Sequence, residues 1–328
     1  MKIEFSIDKL DGFLPTIARQ LGLKAQQGRF EIPIQYGRGH FNQLQFNDSM
    51  LITYYDLLLN EESTIHRKKS DNASIIPIIF WLSDNGIHQE IEAESKEIGS
   101  GTPDGIFMPS NCMETTYTFP KAVPIKNITV FVTKEWLQEN MVGQNDFLNK
   151  VIFSNKRFFL FEEVDYQLNS VLMTIEGTFK SDMDHTLSKI KLYAETIGLI
   201  HLFFDKLIRR SLRPINSVKP QDIKILFEVK ANLVKNLSSI PSTSKLAKAG
   251  GINERKLQRL FKHVFGKSIY QYAIDMRMKE AKKLLATKAY SVAEVGYLVG
   301  YSNLSHFSDM FNKHHKIRPK IFLKSLIR

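Results

Sequence analysis

A short pattern of residues occurs twice near the C-terminal end of this 328-residue chain, 49 positions apart, and it restricts the fold more than any other feature. In the first copy Ser242 caps a short helix over Thr243 to Ala249, Gly250-Gly251 turns the chain, and Asn253 caps a longer helix that runs to Val264. In the second, Ser291-Val-Ala-Glu294 is a capping box, Gly300-Tyr301 turns the chain, and Ser302 caps a helix carrying Phe307, Met310 and Phe311 inward. Ala247 precedes Gly251 by four and Phe261 by fourteen, whereas Gly296 precedes Gly300 by four and Phe311 by fifteen, so the second turn holds one extra residue. The inward positions are Leu246, Ala247, Ile252, Leu257, Leu260 and Phe261 in one copy, and Val295, Leu298 and Val299 ahead of the turn in the other. A single helix over about 268–287, with Ile274, Met278, Ala281 and Leu285 on one stripe, joins the two.

One helix-turn-helix is weak evidence of function, because any such pair needs a turn glycine and an apolar stripe. Two copies in the most basic part of the chain say more. From Ser217 onward there are 22 Lys and Arg against seven Asp and Glu, a net of +15; Met1 to Asn216 carries 23 against 27, a net of −4. Concentrated positive charge draws in polyanions by releasing their counterions, which makes nucleic acid the leading partner; a solvated basic face or an anionic-lipid patch would share the charge but not the repeat. The joined motifs predict two recognition helices roughly 34–36 Å apart, in successive major grooves of double-stranded DNA. The outward face of the first bears Glu254, Arg255, Lys256, Gln258, Arg259 and Lys262.

Leu246-Ala247, Leu257-Gln-Arg-Leu-Phe-Lys, Phe265-Gly266, Tyr272, Arg277, Ala281, Leu284-Leu285 and the run from Ser291 to Phe311 followed by Pro319 resemble the AraC/XylS family of bacterial transcription regulators over about 100 residues. The sequence departs from that pattern at Gly296 (usually Ala), Tyr301 (usually Phe) and Lys316 (usually Gly); the first is expected to loosen its helix slightly, the last to alter a turn. The resemblance implies base or groove-edge contacts for Arg255, Lys256, Gln258 and Arg259, since Arg pairs with guanine and Gln with adenine in bidentate fashion. Asn303, Leu304, Ser305, Ser308 and Asp309 hold the corresponding places in the second motif, a set that is only weakly basic. Ser242, Lys262, Lys313 and Lys320 are expected at phosphates, which fix register without reading sequence. The first recognition helix should therefore dominate affinity.

The length suits about two domains. Before residue 133 short β segments at Phe30–Ile34, Met50–Tyr55, Ile75–Leu82 and Ile128–Val132 alternate with turn residues at Gly37-Arg-Gly, Ser83-Asp-Asn-Gly, Gly99 to Gly105 and Phe119-Pro-Lys, the mark of an antiparallel barrel or sandwich. Helical periodicity follows at about 134–140, 144–151, 162–178 and 182–211. In the last, Leu187, Ile190, Ala194, Ile197, Ile200 and Phe204 form one apolar face and Leu192, Leu199, Phe203 and Leu207 another, which fits burial against neighbouring helices or against a second copy of the chain. Together with the resemblance this gives an α+β chain of two domains: a cupin-like β-barrel over 1–133 that senses a small molecule, a helical dimerisation segment over 134–212, a Pro-containing linker over 213–220, and an all-α domain with two helix-turn-helix motifs over 221–328. A homodimer is expected, and RNA polymerase is a further partner the resemblance implies.

His40, Tyr54, Tyr55, Trp81 and His88 are candidates for lining an effector cavity, against a plain role in the core. No metal or other cofactor is expected: His40, His66 and His88 stand alone, without the His-x-His and following Glu of metal-binding cupins, and the adjacent His314-His315 cannot both point at one ion from a helix. Enzymatic activity is not expected. Cys112, the one cysteine, would be the sole candidate for a repair nucleophile, and no Ser/His/Asp, phosphate-loop or dinucleotide motif is present. An architectural DNA binder that needs no effector is the remaining alternative. The acidic start and the shortness of the longest apolar stretch, Ile75–Leu82, predict a cytoplasmic protein without a signal peptide or membrane span.

Overall fold

The computed structural model describes residues 1–71, 74–83, 87–91, 94–99, 105–141, 151–153, 157–181, 186–209, 220–235 and 237–325. Residues 213–219 of the expected linker, most of the helix at 144–151 and the turns over 84–86 and 100–104 lie outside these residues, and Pro220, expected in the linker, opens a helix instead. The chain forms two compact units, Met1–Pro220 with Val264–Gly266, and Gln221–His263 with Lys267–Arg328.

In the first unit twelve strands make two open sheets among the described residues, rather than one closed barrel. The smaller runs in the order β1 (Lys2–Phe5), β5 (Ser63–Arg67), β10 (Thr115–Phe119), β7 (Ile87–Ile91), β8 (Glu94–Ile98). The larger runs β12 (Phe159–Glu162), β9 (Ile106–Pro109), β6 (Ile75–Trp81), β11 (Pro124–Thr133), β4 (Met50–Leu59), β3 (Gly37–Asn47), β2 (Arg29–Glu31). All pairings are antiparallel except β1 with β5.

The larger sheet is covered on both faces, which explains the unbroken apolar run of β6: a strand with water on neither side has no reason to alternate. Successive side chains nevertheless point to opposite sides. Ile52, Tyr54, Ile76, Ile78, Phe80, Ile128 and Val130 pack with Leu172, Ile175 and Phe179 of α3 (Tyr166–Ser181) and with Leu192, Leu199 and Phe203 of α4 (Ser188–Ile208). Tyr55, Ile79, Trp81, Thr129 and Phe131 face Phe5, Ile65, Arg67, Tyr117 and Phe119 from the smaller sheet. Ahead of β2, α1 (Phe13–Gln20) adds Phe13 to that side, and α2 (Lys134–Asn140) follows β11, capped by Thr133. The α4 face expected from Leu187, Ile190, Ala194, Ile197, Ile200 and Phe204 is open at its start, where Leu187 and Ile190 are 56% and 66% exposed. It is buried further on, where Ile200 and Phe204 join Leu192, Leu199, Phe203 and Leu207 in the core.

The junction of α3 with the sheet carries a charged cluster. Glu176 is met by Lys126 Nζ at 2.9 Å and Lys180 Nζ at 2.7 Å, and Lys180 also lies 3.3 Å from Asp56. Burial pushes the Glu176 carboxyl up, but the hydrogen bonds and charges of the two lysines outweigh it and hold the group below its ordinary value.

The second unit is helical: α5 (Pro220–Lys235), α6 (Thr243–Ala249), α7 (Glu254–Phe265), α8 (Ile269–Ala286), α9 (Val292–Leu298), α10 (Leu304–His315) and α11 (Pro319–Ser325). Met278, Ala281 and Leu285 of α8 form one core with Val295, Val299, Phe307 and Phe311. Val295 and Val299 are buried as expected, whereas Leu298, also expected inward, is 49% exposed where α9 ends.

Candidate nucleic-acid interface

The two short helices stop in the same way. After α6, Gly251 N–H donates to Lys248 O (3.2 Å) and Ile252 N–H to Ala247 O (3.0 Å), with Gly251 at φ +60. After α9, Gly300 N–H donates to Tyr297 O (2.9 Å) and Tyr301 N–H to Gly296 O (2.9 Å), with Gly300 at φ +85. This double bond across a left-handed residue is the Schellman closure. The starts match as well: Ser242 accepts from Lys245 N–H, and Ser291 and Glu294 form a reciprocal capping box that leaves the Glu294 carboxyl below its ordinary value. A further capping box, between Ser268 and Gln271, opens α8.

The extra residue of the second turn is Ser302, because the cap of α10 is Asn303, whose side chain accepts from His306 N–H at 2.9 Å. The expected cap at Ser302 is therefore off by one. In the first motif Asn253 accepts from Arg255 N–H (2.9 Å) and Lys256 N–H (3.3 Å).

These caps aim α7 so that Arg255, Gln258 and Arg259 are exposed on one side, with Leu257, Leu260 and Phe261 buried on the other. Gln258 Nε2 donates to Glu254 Oε1 at 3.2 Å. Lys256 differs from its neighbours: its ammonium lies 2.7 Å from Asp222 Oδ1 of α5, whose side chain is only 7% exposed. Its place is between α7 and α5. Lys256→Met should cost about 1–2 kcal/mol by stranding that carboxylate, read as a lower denaturation midpoint that Asp222→Asn in the same chain restores.

On α10, Asn303, Ser305 and Asp309 are exposed and Ser308 is half-buried. Leu304 is also half-buried, and its Cδ2 lies 2.8 Å from where a Gly296 Cβ would stand, with Phe307 Cδ1 at 3.1 Å. Packing has closed over Gly296, so the departure from alanine is filled by neighbours rather than left as a gap. His306 is exposed beside the cap and was not singled out in the sequence. Lys313 and Lys320 are exposed, Lys262 is half-buried, and Ser242 is occupied as a cap acceptor.

Lys316 ends α10 in the left-handed conformation, φ 59, a place suited to glycine. Lys316→Gly should stabilise the unit by about 0.5–1 kcal/mol, seen as a raised melting temperature. His314 Nε2 lies 3.5 Å from Asp275 and His315 Nε2 lies 2.9 Å from Met278 O; burial lowers the His315 pKa to about 4. Among the described residues, no group of three or more His, Cys, Asp or Glu could hold a metal ion, and no helix is long and apolar enough to cross a membrane.

Arg277 of α8 ties the motifs together. Its Nε donates to Leu237 O at 2.6 Å, its Nη2 to Ser238 O at 3.4 Å, and its guanidinium lies 5.4 Å from the ring centre of Tyr301 in the second turn.

Of the five effector candidates, Tyr55 and Trp81 line a cavity between the two sheets; the other three do not. Tyr54 is one residue from Tyr55 and so lies on the opposite face, its hydroxyl 3.3 Å from both Asp56 and Glu176. His40 packs edge-on to Tyr54, and His88 is exposed on β7.

Two helix-turn-helix motifs with matched caps and matched closures, bridged by one helix, define the second unit as a double helix-turn-helix domain. Residues 246–325 match the family model described as a helix-turn-helix domain, and the C-terminal region is accordingly an AraC-type helix-turn-helix domain. Similar proteins include the HTH-type transcriptional regulator ArgR of Pseudomonas aeruginosa, 24% identical over 106 residues, which are 32% of this chain and 31% of that one. The probable transcription factor PqrA of Proteus vulgaris is 31% identical over 77 residues, 24% of this chain and 63% of that one. The chain thus spans less than two thirds of these relatives. A crystal structure of an AraC-type transcriptional regulator from Chromobacterium violaceum is 26% identical, covering 34% of this chain and 98% of that one, with a TM-score of 0.31.

Proposed function

We propose that the protein is a sequence-specific, DNA-binding transcription regulator of the AraC type, acting in the cytoplasm on promoter DNA. The observation that carries this is the repeated Schellman-closed, capped helix pair that leaves Arg255, Gln258 and Arg259 exposed on a segment of net charge +15. In this reading Arg255, Gln258 and Arg259 meet base edges, Asn303, Ser305, Ser308 and Asp309 meet the second groove, and Lys262, Lys313 and Lys320 meet phosphates. Lys256 and Leu304 act instead by holding the two helices in place.

The first unit serves as the sensor. Two sheets facing each other around a cavity match a cupin-like, double-sheet plan. The exposed apolar residues Leu187, Ile190 and Tyr193 on α4 support pairing with a second copy, which would set two DNA-binding units on adjacent sites beside RNA polymerase. The test is retention of promoter fragments by the full chain across a salt series: log affinity should fall linearly with log salt, and a preferred fragment should exceed random DNA by roughly 1,000-fold or more. Salt-insensitive retention, or equal retention of all fragments, would overturn the reading.

A further inference from the structure

We infer that Arg277 is a positioning residue that fixes the angle between the two recognition helices, and so makes the chain select DNA by the spacing of the two segments it contacts. This rests on reading the second unit as a DNA reader and adds which property of the DNA it measures.

The two motifs are held at different ends of α8. Near its start Tyr272 meets Phe261 of α7 edge-on, with ring centres 5.4 Å apart. Further along, Met278, Ala281 and Leu285 pack with Val295, Val299, Phe307 and Phe311 of the second motif. Apolar ridges specify a helix crossing angle only loosely, with a scatter of roughly 15–20° among packed pairs. Directional, charge-assisted bonds specify it better.

Arg277 supplies such bonds between the two ends. Its Nε donates to Leu237 O at 2.6 Å and its Nη2 to Ser238 O at 3.4 Å, two consecutive carbonyls on the chain leading into α6 and the first motif. The same guanidinium lies 5.4 Å from the ring centre of Tyr301, which is 7% exposed and two residues ahead of the α10 cap, Asn303. Burial raises the Tyr301 hydroxyl above its ordinary value, and the Arg277 charge opposes that rise. Gly300 leaves no room for a Cβ against Ser238 O, so the second turn and the α5–α6 connection touch beside the fork. One planar side chain therefore grips the entry to α6 and the entry to α10 together.

Inserting one base pair between two contacted segments moves the far one by about 3.4 Å and turns it by about 35°. Helices clamped at a fixed angle cannot follow that rotation; loosened ones can.

The probes are the fragment preferred by the full chain, mapped by hydroxyl-radical footprinting, and derivatives with one base pair inserted or removed between its two protected segments. The unaltered chain should lose about tenfold on each derivative, the share of affinity that α10 adds to α7. Arg277→Met, without fork or charge, should bind the derivatives within about threefold of the parent fragment, and Arg277→Lys, which keeps the charge alone, should lose about fivefold. Tyr301→Phe keeps the ring beneath the guanidinium and should keep the tenfold ratio. A merely structural role would weaken binding to every fragment alike and leave the ratio where it was. Should Arg277→Met not fold, Arg277→Lys carries the test. A footprint of one segment only, an unaltered chain indifferent to spacing, or Arg277 variants with the full tenfold ratio would overturn the inference while leaving the regulator reading in place. Absence of any preferred fragment would overturn that reading and this inference with it.

Discussion

Gly300→Ala should destabilise the C-terminal unit by about 3 kcal/mol or more, and Gly251→Ala, at the matching place of the other motif, by only about 1 kcal/mol. Both glycines hold left-handed backbone, at φ +85 and +60, so each substitution meets the same local strain. The surroundings differ. A Cβ at Gly251 has no heavy atom within 4 Å, whereas one at Gly300 would stand 2.3 Å from Ser238 O and 2.7 Å from Arg277 Nη2. Ser238 O is backbone already bonded to Arg277, so relief requires moving the α5–α6 connection away from α8. For a unit of this size each kcal/mol is worth roughly 4–8 °C in melting temperature, so thermal unfolding of the two variants separates them clearly. Equal losses would show that the contact between Arg277, Ser238 and the second turn does not bear on stability.

Arg259→Ala should lower affinity for a preferred DNA fragment by about 10- to 100-fold and narrow its margin over random DNA, because a side chain that reads a base edge carries both. Asp309→Ala should leave affinity within a few-fold or raise it, since an exposed carboxylate on α10 is repelled by the phosphate backbone. Lys313→Ala should weaken all fragments alike and reduce the salt slope by about one. The three variants are at exposed positions, so unchanged melting temperatures separate their effect from folding. Matching losses for Arg259→Ala and Asp309→Ala would contradict the dominance of the first helix.

The second unit was legible in the sequence because its determinants are local. A cap, a left-handed glycine and a stripe of apolar residues act within a few positions, and at Ser242, Asn253, Ser291 and the two glycines the structure shows those interactions. The cap of α10 was misplaced by one, since Ser302 and Asn303 are both good caps and only the backbone path selects Asn303. The first unit was less legible. Strand pairing is non-local, so β1, β5, β7 and β12 gave little signal. Tyr54 and Tyr55 read as companions because both are aromatic, although period-two geometry sends them to opposite faces. Buried Arg67 gives no sequence signal, since a charged residue in a strand reads as solvent-facing; its burial depends on α1 and on strands distant in sequence.

The larger sheet is a partition one residue thick. Trp81 and Phe80 are consecutive, as are Tyr55 and Tyr54; the first of each pair borders the cavity, while Phe80 and Tyr54 rest against Phe203 of α4 and Phe179 of α3. Interiors this tightly filled have little slack to absorb a shift. Whatever swells the chamber on one side must therefore press on the helices through a single peptide unit, with no intervening hinge.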